Sequence, residues 1–156
     1  MNINDDIKAT IDFVDSYVKK FNIEISKPPT VHPELSAEMK IDYSLGDLTK
    51  TDGCILGALE LEINAELFNE EEPYAICRLI YAGLFKADEN THEETFKSML
   101  ELNGVMVLYQ LSRSLITSIT AQAGLFPPLT LPLINVHKVI VNKKDTKINK
   151  SDNILD

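Results

Sequence analysis

The sequence has few cysteines, few basic residues and no long apolar run, and each shortage excludes a class of protein. Cys54 and Cys77 are its two cysteines, too few for a disulfide framework or a four-thiolate zinc site. Both lie in apolar surroundings, which favour buried, inert thiols. Every apolar stretch is interrupted before the ~18 residues that a transmembrane helix needs, and residues 1–6 lack the basic and apolar pattern of a secretory signal. We therefore expect a cytoplasmic protein without membrane insertion.

The shortage of basic residues gives the chain a strongly acidic balance. Lys and Arg total 15 against 24 Asp and Glu, a formal net charge of −9, which is poorly suited to a phosphate backbone. The charge is uneven, because residues 51–77 hold acids and no base, whereas lysines predominate in residues 138–150. We interpret this lysine-rich end as solvated, with contact to nucleic acid or lipid as the alternative. Net charge therefore predicts no nucleic-acid partner for the body of the protein.

The motifs of common enzymes are also missing. The six glycines are scattered and form neither a phosphate-binding loop nor a dinucleotide fingerprint. His32, His92 and His137 are far apart in sequence, and no nucleophile elbow is present. Acids such as Glu60 and Glu62 alternate with apolar residues, so we expect them to be solvated. The sequence thus predicts no catalytic residue, no cofactor and no metal site.

Alternating apolar residues predict strands in the first half. With 44% apolar residues, a chain of this length can bury the core of one domain. Apolar side chains fall on every second residue in 39–43 and again in 59–67, where acids occupy the intervening positions. One-sided alternation of this kind is typical of an antiparallel sheet with one face in solvent. A third, more continuously apolar strand is expected over residues 74–85.

The second half changes to a helical period. The pair Thr91 and Glu94 has the spacing of a capping box, which predicts a short helix to about Leu100. Asn103 is the expected cap of a longer helix over residues 105–123, in which apolar residues recur at steps of three and four. A glycine and a pair of prolines end that helix. Strands followed by helices indicate the α+β class.

The N-terminal segment is ambiguous by periodicity. Ile7, Ile11, Val14, Val18 and Phe21 fit a helix, whereas a strand over the same residues places an aspartate on its apolar face. Periodicity alone favours the helix slightly.

Residues 124–135 form an unusual apolar segment that contains three prolines. Prolines at this density require an extended backbone that cannot donate fully to a sheet. Two interpretations stay open: a rigid connector packed on the core, and an exposed apolar wall that holds other apolar chains.

This segment carries a family resemblance. Phe126–Asn135 resembles the C-terminal signature of the SecB family of bacterial export chaperones, in which a helix ends at a glycine and is followed by Phe-Pro, apolar residues and Asn. The match is collinear from about Ile11 to Val136. The other matching stretches, in chain order, are residues 37–42, 59–67, 81–85 and 113–118.

The resemblance implies a four-stranded antiparallel sheet with helices packed on one face, assembled as a homotetramer, a dimer of dimers. It also turns the interpretation of residues 11–21 towards a first strand. The implied function is ATP-independent holding of unfolded polypeptides through apolar grooves, for export. The implied client-contact residues are Leu84, Phe85, Phe126, Leu129, Leu131 and Ile134. For each of these residues, a place in the core or in a subunit interface is the alternative.

The chain also departs from the family pattern. The resemblance implies a docking face for the SecA motor that includes Glu60, Glu62 and Glu66, but Ile76 and Arg78 stand where the family has a Leu-x-Glu motif. Arginine in place of a docking acid repels a basic partner, so the chain is expected to be a divergent member. An adaptor or chaperone dedicated to one partner, such as an antitoxin, is the second hypothesis.

The C-terminal part departs from the pattern as well. Residues 136–141 are rich in β-branched side chains and strand-like where the family has its final helix. We therefore predict a single domain over residues 1–142 and a polar, flexible tail over residues 143–156.

Overall fold

A computed structural model of the chain describes residues 11–26 and 35–152, and these residues are organised around an antiparallel sheet. Four long strands lie in the order β1–β5–β4–β2, and a short strand, β3, pairs with β4 beyond the end of β2. The α+β class and the four-stranded antiparallel sheet are confirmed, with β3 as an additional fifth strand. The strands are β1 (Asp12–Ile25), β2 (Leu35–Leu45), β3 (Thr49–Thr51), β4 (Cys54–Asn69) and β5 (Glu72–Asp88).

The alternation along β4 divides the sheet into two faces. Leu59, Leu61 and Ile63 are fully buried on the face that the helices cover. The intervening residues point to the opposite face, which we call the open face and which carries Glu62 and Glu66. Since residues paired across strands share a face, the same division continues across β5 and β2.

β1 is a strand, so the helical periodicity of this segment was misleading. Register shifts against β5 fall between Phe13 and Asp15 and between Val18 and Lys20, and each inserts one extra residue into β1. Two such bulges break the alternation and space the apolar residues as they would be spaced in a helix. Ile7 lies outside the described residues.

One continuous helix packs across the sheet where two helices were predicted. It consists of α1 (Glu93–Met99), a π-helical stretch over Leu100–Gly104, and α2 (Val105–Gln122). Neither predicted cap forms. His92 occupies the N-cap of α1 without a side-chain hydrogen bond, and the π-helical stretch carries the chain into α2, so Asn103 caps nothing. The predicted end of α2 is confirmed, because Gly124 follows it at a φ of 84°.

Two glycines in the sheet allow this helix to approach closely. A Cβ added at Gly57 would lie 2.6 Å from Leu100 Cδ1, and one added at Gly83 would lie 2.8 Å from Leu108 Cδ2. Any larger side chain at these positions would push the helix away from the core.

The C-terminal segment is helical rather than strand-like. The helix α3 (Val136–Asp152) begins after Asn135, whose side-chain Oδ1 accepts a hydrogen bond of 3.2 Å from the backbone N–H of Lys138. Val136, Val139 and Ile140 then pack against the core at helical spacing. Packing thus overrides the β propensity of these residues. The segment predicted as a flexible tail from residue 143 is therefore helical to residue 152, while residues 153–156 lie outside the described residues.

Candidate functional site

The predicted client-contact residues on β5 lie on opposite faces of the sheet. Phe85 is 2% exposed and packs under the helices, beside Gly83 and Gly104. Leu84 pairs with Ala58 and points to the open face, where it is partly buried. One groove therefore cannot contain both side chains.

The other predicted client-contact residues lie on the extended segment over residues 125–135. Leu129 and Leu131 are buried in the core, and Ile134 is partly buried against it. Phe126 is 63% exposed, and Leu133 of the same segment is 77% exposed although the sequence analysis did not select it. The segment thus combines the two interpretations, a packed inner side and an exposed apolar outer side.

Side chains of α2 bind the backbone of this segment. Thr117 Oγ1 donates to the carbonyl of Leu129 at 3.0 Å, and Arg113 Nε donates to the carbonyl of Leu131 at 2.9 Å. Tyr109 Oη donates to the carbonyl of Pro132 at 2.6 Å. Burial raises the pKa of Tyr109, so its hydroxyl keeps its proton at neutral pH.

A cleft between β2 and α3 is a further surface, and it was not predicted from the sequence. The cleft has a volume of about 540 Å³ and a mixed lining, in which the apolar side chains are Met39, Ile41 and Val139 and the polar ones are Asp42, Asn142, Lys143 and Thr146. Met39 and Ile41 were recognised as strand residues, but α3 was predicted as a strand and a tail. The signal that could have located the cleft is Asn135, a helix cap directly before the apolar residues of α3.

Asp42 and Lys143, which line this cleft, belong to a cluster of charged side chains. The ammonium of Lys143 binds Asp42 Oδ1 and the carbonyl of Tyr43, and it lies 4.5 Å from the centroid of the Tyr43 ring. Tyr43 Oη donates to Glu101 Oε1 at 3.1 Å, and Glu101 Oε2 lies 3.4 Å from Lys144 Nζ. Burial first, and the Glu101 carboxylate second, raise the pKa of Tyr43. The cluster therefore ties α3 to both β2 and the π-helical stretch.

The backbone of Tyr43 shows which way the edge of β2 faces. Its N–H donates to its neighbour's carboxylate, Asp42 Oδ1, at 2.8 Å, and its carbonyl accepts from Lys143. Both groups therefore point away from β4. Since backbone direction alternates along an antiparallel strand, the same groups of Met39 and Ile41 point to the same side. The cleft thus lies along a strand edge that points away from the sheet.

The predicted docking residues do share the open face, but its charge is mixed. Glu60 Oε1 lies 2.6 Å from Lys19 Nζ, and Glu62 Oε1 accepts from the amide of Asn64 at 2.9 Å. Ile76 of β5 is partly buried and is the register partner of Glu66 on β4. Arg78 is exposed at the middle of β5, with Asn22 and Asn64 as its register partners on the neighbouring strands.

At the far edge of the sheet, β1 exposes large apolar side chains. Phe13, Val14, Tyr17 and Val18 are between 42% and 61% exposed, and they point to both faces of the sheet. The Phe13 ring contacts the Phe85 ring with centroids 5.4 Å apart, so this patch continues into the core.

The described residues offer little for metal or thiol chemistry. In the ranges 11–26 and 35–152, no group of three or more His, Cys, Asp or Glu side chains is placed to hold a metal ion; His32 lies outside these ranges. Cys77 is buried, and burial raises its pKa to about 11, whereas Cys54 is partly exposed and contacts Thr51 Oγ1 at 3.0 Å. Within the same ranges, no helix is long and apolar enough to cross a membrane.

An antiparallel sheet with one long helix on its inner face defines an α+β protein, and its apolar surface at a strand edge and on segment 125–135 is suited to binding other chains. The family model of preprotein translocase subunit SecB matches residues 4–147. The chain belongs to the SecB family, which is a family of export chaperones and not of enzymes.

Relatives agree with this assignment, and a solved structure shares the fold. The protein-export protein SecB of Anaplasma marginale (strain Florida) is 30% identical over 142 residues, which cover 85% of this chain and 79% of that protein. The protein-export protein SecB of Hyphomonas neptunium is 30% identical over 115 residues, 74% of this chain and 67% of that protein. The SecB-like chaperone of Mycobacterium tuberculosis, solved with a ChAD peptide from the HigA1 antitoxin, matches with a TM-score of 0.64 at 16% identity, over 81% of this chain and 91% of that one.

Proposed function

We propose that this protein is a cytoplasmic, ATP-independent holdase that binds unfolded polypeptides as extended segments and keeps them competent for export. The observation that carries the proposal is the cleft between β2 and α3, which combines apolar and polar lining. It offers apolar side chains from Met39, Ile41 and Val139 next to a strand edge that points away from the sheet. An extended client can use both, because added-strand recognition takes affinity from the backbone and selectivity from alternate side chains.

The exposed side of segment 125–135 is the second part of the proposed client surface. Phe126 and Leu133 offer apolar area to a client without requiring one particular sequence. Weak contact at several apolar sites tolerates many clients, and holding a chain in this way requires no catalytic group. Among the six residues implied by the resemblance, Phe126 and Ile134 stay candidates for client contact, and Leu84 faces the other side of the sheet.

A holdase assay with a matched pair of variants tests the cleft. We expect a substoichiometric amount of the unsubstituted protein to delay the aggregation of an unfolded client, as measured by light scattering. Ile41→Ser should weaken client binding by about tenfold, since one buried aliphatic group is worth ~1–2 kcal/mol. Ser36→Asp, on the open face of the same strand, is the control and should bind like the unsubstituted protein. Failure of the unsubstituted protein to delay aggregation would exclude the holdase function.

We further propose that the chain assembles as a homotetramer, a dimer of dimers. The exposed apolar residues of β1 support self-association, because a patch of this kind on an edge strand favours pairing with another chain. Multi-angle light scattering at micromolar concentration should give four times the chain mass of 17.5 kDa. A monomer under those conditions would exclude the tetramer.

Docking of the SecA motor on the open face is a further part of the proposed function, and the positive charge of Arg78 weakens it. Arg78 adds a positive charge at its centre, and Lys19 already neutralises Glu60. Titration with the basic C-terminal tail of the motor should therefore show weak binding that Arg78→Glu strengthens. Arg78→Gln removes the charge without adding an acid and separates loss of repulsion from gain of attraction.

A chaperone dedicated to one partner is the second candidate function, and Arg78 is the observation that favours it. A protein that delivers one partner, such as an antitoxin, has no need of an acidic motor-docking face. Co-purification of a single partner in a fixed stoichiometry, identified by mass spectrometry, would support this function. Recovery of many unrelated unfolded chains would support the general holdase instead.

A further inference from the structure

The extended segment 125–135 lacks the support that extended backbone usually has. In the described part of the chain it pairs with no strand, and its prolines at residues 127, 128 and 132 remove backbone donors. Its backbone groups nevertheless need partners wherever they are buried. The buried side chains Leu125, Leu129 and Leu131 anchor the segment by apolar contact. Apolar contact alone is non-directional and does not fix which side of the segment faces outwards.

One face of α2 supplies the missing hydrogen bonds. Tyr109, Arg113 and Thr117 are spaced by four residues, so their side chains line up along the helix. They donate to the carbonyls of Pro132, Leu131 and Leu129 in that order, at 2.6, 2.9 and 3.0 Å. Thr120 completes the row, because its Oγ1 accepts from the N–H of Leu129 at 3.0 Å and donates to the carbonyl of Ile116 at 2.7 Å. The segment is therefore bound along its length by a row of side chains rather than by a strand.

This row fixes the rotation of the segment. Along an extended backbone, neighbouring side chains point to opposite sides, so a slip of one residue would exchange the inner and outer sides. The alternation holds from Leu129 to Leu131, which are buried on either side of the exposed Thr130. It breaks at Pro132, because the consecutive carbonyls of Leu131 and Pro132 both face α2, and Leu133 is therefore 77% exposed, like Phe126 at 63%. The directional bonds to three carbonyls hold that register.

We propose that Tyr109, Arg113 and Thr117 are positioning residues, which fix the register of segment 125–135 and thereby present Phe126 and Leu133 to a client. The proposal rests on the proposed holdase function. Arg113 and Thr117 bind the segment backbone, and Tyr109 Oη does so while also lying 3.9 Å from Met39 Sδ of the cleft. Removal of the Thr117 hydroxyl should therefore change client affinity through the order of the segment. The helix and the sheet keep their own apolar contacts in such variants.

Variants that keep shape and remove one hydroxyl test the proposal. Tyr109→Phe and Thr117→Val each remove one donor to a segment carbonyl, and the double variant removes both. Each lost bond should raise the amide hydrogen exchange of residues 125–135 by about fivefold, because a net hydrogen bond is worth ~1 kcal/mol. Exchange in β4 should not change. The dissociation constant for reduced, carboxymethylated α-lactalbumin should rise by about tenfold in the double variant.

Matched controls separate positioning from general damage. Thr117→Ser keeps the hydroxyl and should restore both segment exchange and client affinity to near the unsubstituted values. Thr49→Val removes a hydroxyl from an exposed residue of β3, outside every proposed binding surface, and should change neither. If circular dichroism shows that the double variant does not fold, the two single variants and Thr117→Ser give the same comparison. Each single variant then removes one of the two hydrogen bonds.

The outcomes distinguish this proposal from the function on which it rests. Faster segment exchange together with weaker client binding, both reversed in Thr117→Ser, supports the positioning role. Unchanged segment exchange overturns it, and so does faster exchange with unchanged client affinity. If the unsubstituted protein binds no client, the holdase function itself fails, and the exchange data alone then report whether the row holds the segment.

Discussion

The two edges of the sheet differ in how the chain covers them. At one edge, β1 exposes Phe13, Val14, Tyr17 and Val18, and among the described elements its extensive packing is against β5. At the other edge, α3 lies beside β2, and the outward backbone groups of Tyr43 are bound by Asp42 and Lys143. The first edge is apolar and open, whereas the second is partly closed by the chain itself.

This difference assigns the two edges to different proposed partners. Proteins cover or charge their strand edges because an open edge pairs with other chains. A permanent partner such as a second copy suits the apolar edge of β1, since obligate interfaces resemble a core cut in half. A transient client suits the edge of β2, where α3 leaves a cleft and not a flat surface. The predictions below test that division from the largest expected effect to the smallest.

The largest effect is expected from a charge placed on the edge of β1. Val18→Asp would bury an unpaired carboxylate in the proposed subunit interface, which costs several kcal/mol. We expect the assembly to dissociate at micromolar protein, with at least a hundredfold rise in its dissociation constant by analytical ultracentrifugation. Ser44→Asp adds the same charge to β2 and should leave the assembly intact. Dissociation of both variants, or of neither, would remove the distinction between the edges.

The next effect concerns the charged cluster at the other edge. Lys143→Met keeps most of the side-chain volume and removes the ammonium that binds Asp42 and lies over the Tyr43 ring. We expect the amide exchange of α3 to rise by about fivefold, as an ammonium over an aromatic ring contributes ~1 kcal/mol. Added salt should raise exchange in the unsubstituted protein towards the same value.

Lys138→Met is the matched control for this experiment. Lys138 is exposed on the first turn of the same helix, and its substitution should leave α3 exchange unchanged. Equal exchange in both variants would mean that apolar contacts of α3, and not the cluster, hold it against β2.

Sequence patterns predicted the central strand β4 of the sheet better than the edge strand β1. Strict alternation over residues 59–67 predicted the buried face of β4, because a strand covered by a helix has only one apolar side. The end of α2 was equally readable from Gly124 and the prolines after it. Periodicity misread β1 because two bulges change its spacing, and a bulge depends on the partner strand rather than on local sequence. The family resemblance predicted a first strand in this segment, and the strand is confirmed.

The candidate site was predicted only in part for similar reasons. The family resemblance pointed to segment 125–135, but burial within the segment depends on how α2 holds it, which pairs residues far apart in sequence. The cleft beside β2 depends on α3, whose β-branched residues suggested a strand. Residues such as Met39 and Val139 become neighbours only through tertiary packing.

A smaller effect is expected from pH at the edge of β2. The pKa of Tyr43 is raised in the folded chain, so the folded protein keeps the phenol proton after the unfolded chain has lost it. The contribution of Tyr43 to the free energy of unfolding is therefore fully present below the ordinary tyrosine pKa of ~10, and it is lost as the pH rises above that value. We expect urea unfolding between pH 9 and pH 11 to show a steeper loss of stability in the unsubstituted protein than in Tyr43→Phe. Parallel curves would contradict the raised pKa.

The smallest effect is expected from the ion pair next to the edge of β1. Lys19 Nζ lies 2.6 Å from Glu60 Oε1, closer than Lys144 to Glu101 at the other edge, yet both of its side chains are well exposed. The Glu60 carboxylate raises the pKa of Lys19 through a hydrogen bond and its charge, but solvent screens a pair of this kind and its net contribution is small. Lys19→Met should therefore leave the melting temperature unchanged, in contrast to the faster α3 exchange of Lys143→Met. A clear drop in melting temperature would mean that Lys19 is buried in the assembled protein, and it would place the subunit interface on the open face as well as on the edge of β1.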